Sequence, residues 1–265
     1  MAVQSNRSRY LAAGATPFLP NRASDLLACV HPTHNKQYHG KVMTLPQTKP
    51  TATAVRSDQI AAHRHLLSVV DRHLDHPWRK PIPDHTRRAG DQALDWLAAH
   101  PHCDIVLDSF CGTGLSTSLL ATRHSNACII GVDKSANRLS RHIPMAGNYR
   151  LFRAECESFW RYLVDHGVQV KHHYMLYPNP WPKSSQLKRR VHGHPAFGLL
   201  KTLGGAVEVR SNWKIYIEEF ALAWASLRAA GTVRALALEP PLTLFEQKYQ
   251  QRGHTLWQFQ SVANS

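Results

Sequence analysis

The chain has 265 residues, 43% of them hydrophobic, with a formal net charge of +14 and 18 histidines. That length can bury a sizeable core as one medium domain with an appendage, and the basic balance favours a polyanionic partner without saying anything of fold. Five cysteines without tight CxxC spacing argue against a disulfide framework or a zinc ribbon. No apolar run reaches about 18 residues, so neither a membrane span nor a signal peptide is expected and a cytoplasmic setting is the default.

Residues 1–56 are rich in Pro, Thr, Gln, Asn and basic side chains and read as an irregular basic arm. Arg7, Arg9, Arg22, Lys36 and Lys41 suit it to a phosphate backbone, a solvated tail being the alternative. Residues 57–100 read as two helices. The first runs from Ser57, as its cap, to Leu74, with Ile60, Leu66, Leu67, Val70 and Leu74 on one side. His63, His65 and His73 within it lack metal-ligand spacing, and no metal is expected. HPWRKPIP breaks the pattern, and Asp84–His100 forms the second helix.

From 101 to 265 strands and helices alternate, which means an α/β domain. It begins with DIVLDSFCGTGLSTSLLATRHSNACIIGVD, Asp104 to Asp133. One apolar run ends in Asp108, a turn holds Gly112 and Gly114, a helix reaches about Arg123, and a second apolar run ends in Asp133. Lys134, Arg138 and Arg141 then open a basic helix. Tyr149–Arg153 reads as a third strand closed by Glu155, Ser158–His166 as a helix, Val170–Leu176 as a fourth strand, and Phe197–Leu203 as a helix. Ala206–Arg210 follows as a strand and Trp213–Arg228 as a long amphipathic helix. Val233–Leu238 and His254–Gln260 are the last two strands, in an antiparallel ending, with PPLTLFEQK as the loop between them.

Open α/β sheets bind ligands at the C-terminal ends of their strands, and a glycine turn there admits a ligand to the backbone. A phosphate-binding P-loop would need GKS or GKT, and a dinucleotide fingerprint a third glycine where Thr117 stands. A methyl-donor site fits better. Asp108 lies beside the turn where the amino-acid end of such a cofactor can sit. Asp133 is placed to accept both ribose hydroxyls, and Glu155 or Cys156 to approach the adenine amine. Phe110 and Lys134 flank these positions. Cys111, inside the turn, has no fixed His partner and reads as a small packing residue, with a nucleophilic thiol as the alternative.

The most distinctive string is YPNPWPKSSQLKRRVHGHPAF. Pro178, Pro180 and Pro182 stiffen the loop and hold Asn179 with little backbone freedom. Trp181 can stack on a base, and Lys183, Lys188, Arg189 and Arg190 form a basic patch beside it suited to phosphates. A loop packed by Trp181 with solvated cations is the structural alternative.

At this point the sequence resembles the tRNA (guanine-N7)-methyltransferase family of class I S-adenosylmethionine-dependent methyltransferases. That family looks like LExGxGxG, GxE, FPDPWxKxxHxKRR, TDxxxY and TxFE. This chain has LDSFCGTG (Leu107–Gly114), GVD (Gly131–Asp133), YPNPWPKSSQLKRR (Tyr177–Arg190), SNWKIY (Ser211–Tyr216) and TLFEQK (Thr243–Lys248), in the same order. The resemblance implies a Rossmann-like methyltransferase sheet, mostly parallel with an antiparallel C-terminal strand and helices on both faces. It implies S-adenosylmethionine as cofactor, on Asp108, Phe110, Gly112, Gly114, Asp133, Lys134, Glu155 and Cys156, and structured RNA, tRNA first, as partner. Asn179, Asn212 and Glu246 match residues that position the target guanine, with Thr243, Tyr216, Trp181 and the four loop cations on the substrate side. N7 carries no proton to lose, so no general base is expected.

The departures lie on the acceptor side. Asn179 and Asn212 replace two family aspartates, and an amide both donates and accepts where a carboxylate only accepts. They keep open a methyltransferase acting on another base, a small molecule or a protein, or a catalytically degenerate RNA-binding homologue.

Overall fold

Alternating aliphatic side chains set the centre of the sheet. Strand β1 (Asp104–Ser109) sends Val106 to one face and Leu107 to the other, each into a separate apolar cluster. Strand β2 (Ala127–Asp133) is buried along its whole length, as a strand covered on both faces must be. β1 pairs in parallel with β2 and with β4 (His172–Leu176), β2 with β3 (Tyr149–Arg153), and β4 with β5 (Ala206–Ser211). β7 (Trp257–Ser261) runs antiparallel between β5 and the edge strand β6 (Gly231–Ala235), giving the order β3-β2-β1-β4-β5-β7-β6. This is the expected Rossmann-like methyltransferase sheet with helices on both faces. It comes from a computed structural model that describes residues 55–261 except Pro77 and Leu238, so nearly all of the arm expected over 1–56 lies outside the described residues.

Helices α1 (Leu66–Asp75), α2 (Asp84–Ala98), α5 (Cys156–Asp165), α6 (Leu199–Leu203) and α7 (Lys214–Ser226) contribute to the larger cluster with Leu107, Ile130, Met175 and Val209. Helix α3 (Leu115–Arg123) brings Leu120 and Ala121 to the cluster of Val106, Ile129, Tyr174 and Leu176. Asp108 stands opposite Gly131 and Tyr174, Asp133 opposite Arg153, and Leu176 opposite Arg210. The parallel strands therefore end along one edge, and the loops beyond that edge form the site.

Two expectations about local structure are corrected. Residues 57–65 are not the start of a helix; α1 begins only at Leu66, and Ile60 is fully exposed. The polar side chains of this segment are drawn into tertiary contacts instead. The Ser57 hydroxyl donates to the Pro182 carbonyl at 2.7 Å, and the Asp58 carboxylate accepts from both the backbone N–H and the hydroxyl of Ser184. The segment read as the last loop holds helix α8 (Leu244–Gln251). Thr243 caps it by accepting the Glu246 N–H at 3.0 Å.

Candidate cofactor and acceptor site

The glycine turn is built by close packing. A side chain at Gly114, whose φ is +80°, would put its Cβ 2.5 Å from the Leu151 side chain. Gly131 on β2 lets Thr117 of α3 approach, for a Cβ there would lie 2.4 Å from the Thr117 hydroxyl. That hydroxyl and the Ser116 hydroxyl each donate to Asp108 Oδ2 at 2.7 Å. The missing third glycine of the dinucleotide pattern thus supplies a hydrogen bond to the strand-end acid. Asp108 is fully buried, and its Oδ1 has no partner. Burial pushes its carboxyl up to about 6, against the two hydroxyl bonds that lower it.

Beyond the strand ends lies a cleft of about 520 Å³. Phe110, Asp133, Lys134, Glu155 and Cys156 line it, and so do Asn179, Trp181 and Arg189 from the proline-rich loop. Both oxygens of Asp133 are engaged. Oδ2 accepts the Gly112 N–H at 3.0 Å, and Oδ1 accepts the Ser135 N–H at 2.8 Å and the Arg138 guanidinium at 2.8 Å. Cys156 Sγ accepts the Phe110 N–H at 3.3 Å. A carboxylate at the end of β2, the small apolar surface of Cys156 and Phe110, and the unpartnered Asp108 oxygen behind the turn fit a cofactor with a diol, an adenine and an amino-acid end. Of the other expected cofactor residues, Gly112 lines a neighbouring cavity, Asp108 stands behind the turn, and Gly114 serves the packing of α3.

Trp78, Lys80 and His194 also wall the cleft, and sequence reasoning missed them. Trp78 meets His194 edge-on at 5.2 Å, and burial lowers the His194 imidazole to about 4, so it is neutral near pH 7. The available signal was local: an aromatic held among prolines in HPWRKPIP repeats the logic of PNPWP.

Phe110, Tyr177 and Trp181 all carry positive φ, at 63°, 56° and 45°. Non-glycine residues reach this region at a cost and cluster at functional sites. Phe110 and Tyr177 turn the chain just beyond β1 and β4, and Trp181 turns the loop after the Asn179 Oδ1 accepts its N–H at 3.3 Å.

The four expected loop cations separate into two groups. Lys183, Lys188 and Arg189 are exposed, with Arg189 over the Trp181 ring at 4.9 Å. Arg190 is corrected as a phosphate contact: it is completely buried and serves as the loop's internal brace. Its guanidinium donates to the Trp181 carbonyl at 3.1 Å, the Lys183 carbonyl at 3.2 Å, Gln59 Oε1 at 2.5 Å and Glu219 Oε2 at 2.5 Å. Glu219 of α7 also accepts from Gln59 Nε2 and the His63 N–H through Oε1 and from His192 Nε2 through Oε2. Burial alone would raise the Glu219 carboxyl; the His192 hydrogen bond and the charge of Arg190 outweigh it and bring it to about 2.

The acceptor residues do not gather in one place. Asn179 lines the cofactor cleft. Thr243 lines the neighbouring cavity, of about 300 Å³, with Tyr177, Leu244, Phe245, Arg138, Arg141 and Lys248. Asn212 is half-buried and lines neither. Glu246 is corrected as a base contact: it is fully buried, with Oε1 accepting from Arg210 at 2.7 Å and Oε2 from the Leu242 N–H at 3.2 Å. Tyr216 is likewise fully buried, its ring 4.8 Å from that of His192. Burial first, then the nearby Asp108 and Asp133 charges, push the Cys111 thiol well above the ordinary range, which disfavours the thiolate a nucleophile needs. Among the described residues no group of three or more His, Cys, Asp or Glu is placed to hold a metal ion, and no helix is long and apolar enough to cross a membrane.

A family profile described as "Putative methyltransferase" matches residues 102–259. Among curated proteins, a tRNA (guanine-N(7)-)-methyltransferase of Acinetobacter baylyi is 23% identical over 246 residues, covering 83% of this chain and 96% of that one. Another, from Mycobacterium avium, is 26% identical over 259 residues, covering 85% and 97%. Among solved structures, a 16S rRNA (adenine(1408)-N(1))-methyltransferase from Catenulisporales acidiphilia aligns at 18% identity and TM-score 0.47, over 64% of this chain and 91% of that one. An antibiotic-related methyltransferase aligns at 13% identity and TM-score 0.49, over 66% and 94%.

Proposed function

This chain belongs to that methyltransferase family and takes its methyl group from S-adenosylmethionine; on that footing we propose that it methylates a nucleobase in structured RNA, through an acceptor side distinct from a guanine-N7 pocket. The observation that carries the reading is the division between the two halves of the site. Phe110, Asp133, Lys134, Glu155 and Cys156, expected to hold the cofactor, share one cleft with Asn179, Trp181 and Arg189, whereas Glu246 is sequestered by Arg210 and Asn212 lines neither cavity.

The cofactor supplies an electrophilic methyl on its sulfonium. In this reading Asp133 holds the ribose, Glu155 and Cys156 flank the adenine, and Asp108 supports the turn beneath the amino-acid end. Asn179 offers a donor and an acceptor to the incoming base, Trp181 offers it a face to stack on, and Lys183, Lys188 and Arg189 hold the phosphates that flank it. A ring nitrogen that carries no proton, such as adenine N1 or guanine N7, attacks without a general base, and placement of the reacting atoms in line supplies the rate.

Guanine N7 in tRNA is the second reading. It is favoured by the curated relatives and by the five motifs in order. One assay separates the two: unmodified bulk tRNA and rRNA are incubated with saturating S-adenosylmethionine, digested to nucleosides and analysed by mass spectrometry. A methylated base other than 7-methylguanosine is the expected product. 7-Methylguanosine alone would establish the second reading. Methyl transfer only to an RNA-depleted extract would overturn both.

A further inference from the structure

Asp133 has too few free positions for the job its place assigns it. An ionised carboxylate offers about four lone-pair positions. Three are taken, by the Gly112 N–H, the Ser135 N–H and the Arg138 guanidinium. A ribose diol asks for two. The two backbone donors are fixed by the glycine turn and by the start of the short helix α4 (Ala136–Leu139), so Arg138 is the partner that can yield.

The place to which it can yield is beside it. Arg138 is 40% exposed, and its guanidinium lies over the glycine turn, 4.0 Å from where a Cβ of Gly112 would stand. It lines both the cofactor cleft and the neighbouring cavity. The lining of that second cavity includes Arg138, Arg141 and Lys248 and no Asp or Glu. Its apolar wall is Leu176, Leu244 and Phe245, and Phe245 is 54% exposed and stacked on Tyr249 at 6.4 Å between centroids. Arg141 and Lys248 meet no acid in that lining, and Arg138 would join them once parted from Asp133. Cations beside an exposed ring suit a nucleotide, phosphate on the charges and base on the ring.

We propose that Arg138 is a gated ligand shared by the two cavities: the cofactor's ribose displaces it from Asp133, and it then joins Arg141 and Lys248 in binding an RNA phosphate in the second cavity. The proposal rests on the RNA-methyltransferase reading above and adds to it a direction, cofactor before RNA. Because the coupling is reciprocal, RNA on the second cavity must also tighten the cofactor.

The test uses S-adenosylhomocysteine as cofactor probe and unmodified transcribed tRNA as RNA probe, in separate and combined titrations of the full chain. In wild type, S-adenosylhomocysteine is expected to tighten RNA binding at least about fivefold and to steepen the dependence of log K on log salt by about 0.9, one additional phosphate contact. Arg138→Gln should bind S-adenosylhomocysteine about tenfold more tightly than wild type, since a competitor for Asp133 is gone, and should lose both cofactor effects on RNA. Arg141→Gln should weaken RNA binding and leave S-adenosylhomocysteine affinity unchanged. Arg138→Lys keeps a charge without the guanidinium fork and serves as the second variant if Arg138→Gln melts early; it should also bind S-adenosylhomocysteine more tightly than wild type. Unchanged or weakened S-adenosylhomocysteine binding in both Arg138 variants overturns the gate. RNA bound equally with and without S-adenosylhomocysteine in wild type overturns the coupling and leaves the RNA reading standing. No RNA binding at any salt, with cofactor bound, overturns the RNA reading together with the hand-over.

Discussion

Replacing Glu219 by glutamine removes a carboxylate that four donors share while keeping its volume. Arg190 and Glu219 have fully buried side chains in contact at 2.5 Å, so the variant leaves a guanidinium inside the protein without its counter-charge. Breaking a buried ion pair from one side costs about 3–5 kcal/mol. Linkage gives a similar figure from a different quantity. The carboxyl falls from 4.5 to about 2 on folding, and at 1.36 kcal/mol per pK unit this is about 3 kcal/mol of stability. Because the folded value is the depressed one, the contribution is fully present above pH 4.5 and is lost as pH falls toward 2. Urea unfolding of wild type and Glu219→Gln at pH 7 should therefore differ by about 3–5 kcal/mol, or roughly 6–20 °C in melting temperature. The gap should narrow between pH 4.5 and the acid limit of the native state. Arg190→Met in the same background should recover part of the loss, since an apolar pair replaces an unpaired charge. A difference under about 1 kcal/mol at pH 7 with an unchanged m-value, or a gap that does not narrow in acid, would refute the assignment of Glu219 as the charge partner that holds the loop.

Asp108→Asn should raise stability at pH 8 by roughly 1–3 kcal/mol and weaken S-adenosylhomocysteine binding, because a carboxyl raised from 3.8 to about 6 opposes folding progressively as pH climbs through that interval; denaturant melts at pH 5 and pH 8 with calorimetry check both halves. Thr243→Ala removes the cap of α8 and should cost about 0.5–2 kcal/mol in denaturant unfolding, whereas Glu246→Ala leaves the buried Arg210 with only Glu208 and should cost more. Asn179→Asp turns the amide that lines the cofactor cleft into a carboxylate that only accepts hydrogen bonds, and nucleoside mass spectrometry should show a lower yield of the wild-type methylated base.

The sheet was legible because its signal is local: a run such as Cys128-Ile129-Ile130 can be satisfied only by burial on both faces, and each acid that closes a run marks where a strand emerges into the site. The gathering of Phe110, Asp133, Lys134, Glu155 and Cys156 around one cleft was legible for the same reason, since the residues after successive parallel strands are brought together by the topology itself. The acceptor side was not. In KRR three adjacent cations read as a patch for phosphates, and nothing in the string says that the third is met by Glu219, 29 residues on, inside the core. Ser57 read as a helix cap because its helix-like neighbourhood is local, while its partner Pro182 is 125 residues away. The TLFE segment is a different kind of miss. Thr-x-x-Glu is the capping-box spelling, and the helix it announces was available from sequence had family likeness not drawn the same two residues toward a base.

The brace on Arg190 also fixes what can be cut away or transplanted. Its outer half is Ser57, Asp58, Gln59 and His63, which stand ahead of the 102–259 segment that the family shares. A chain trimmed to the first strand would keep every residue of the sheet but lose α1 and α2, whose buried side chains belong to the larger apolar cluster. It would also lose the contacts that shape the proline-rich loop, so it should be both less stable and disordered in that loop. Grafting that loop onto a related enzyme would fail in the same manner unless residues 57–63 travelled with it. The proline-rich loop and the leading segment are in this sense one structural unit, separated in sequence by the first four strands of the sheet.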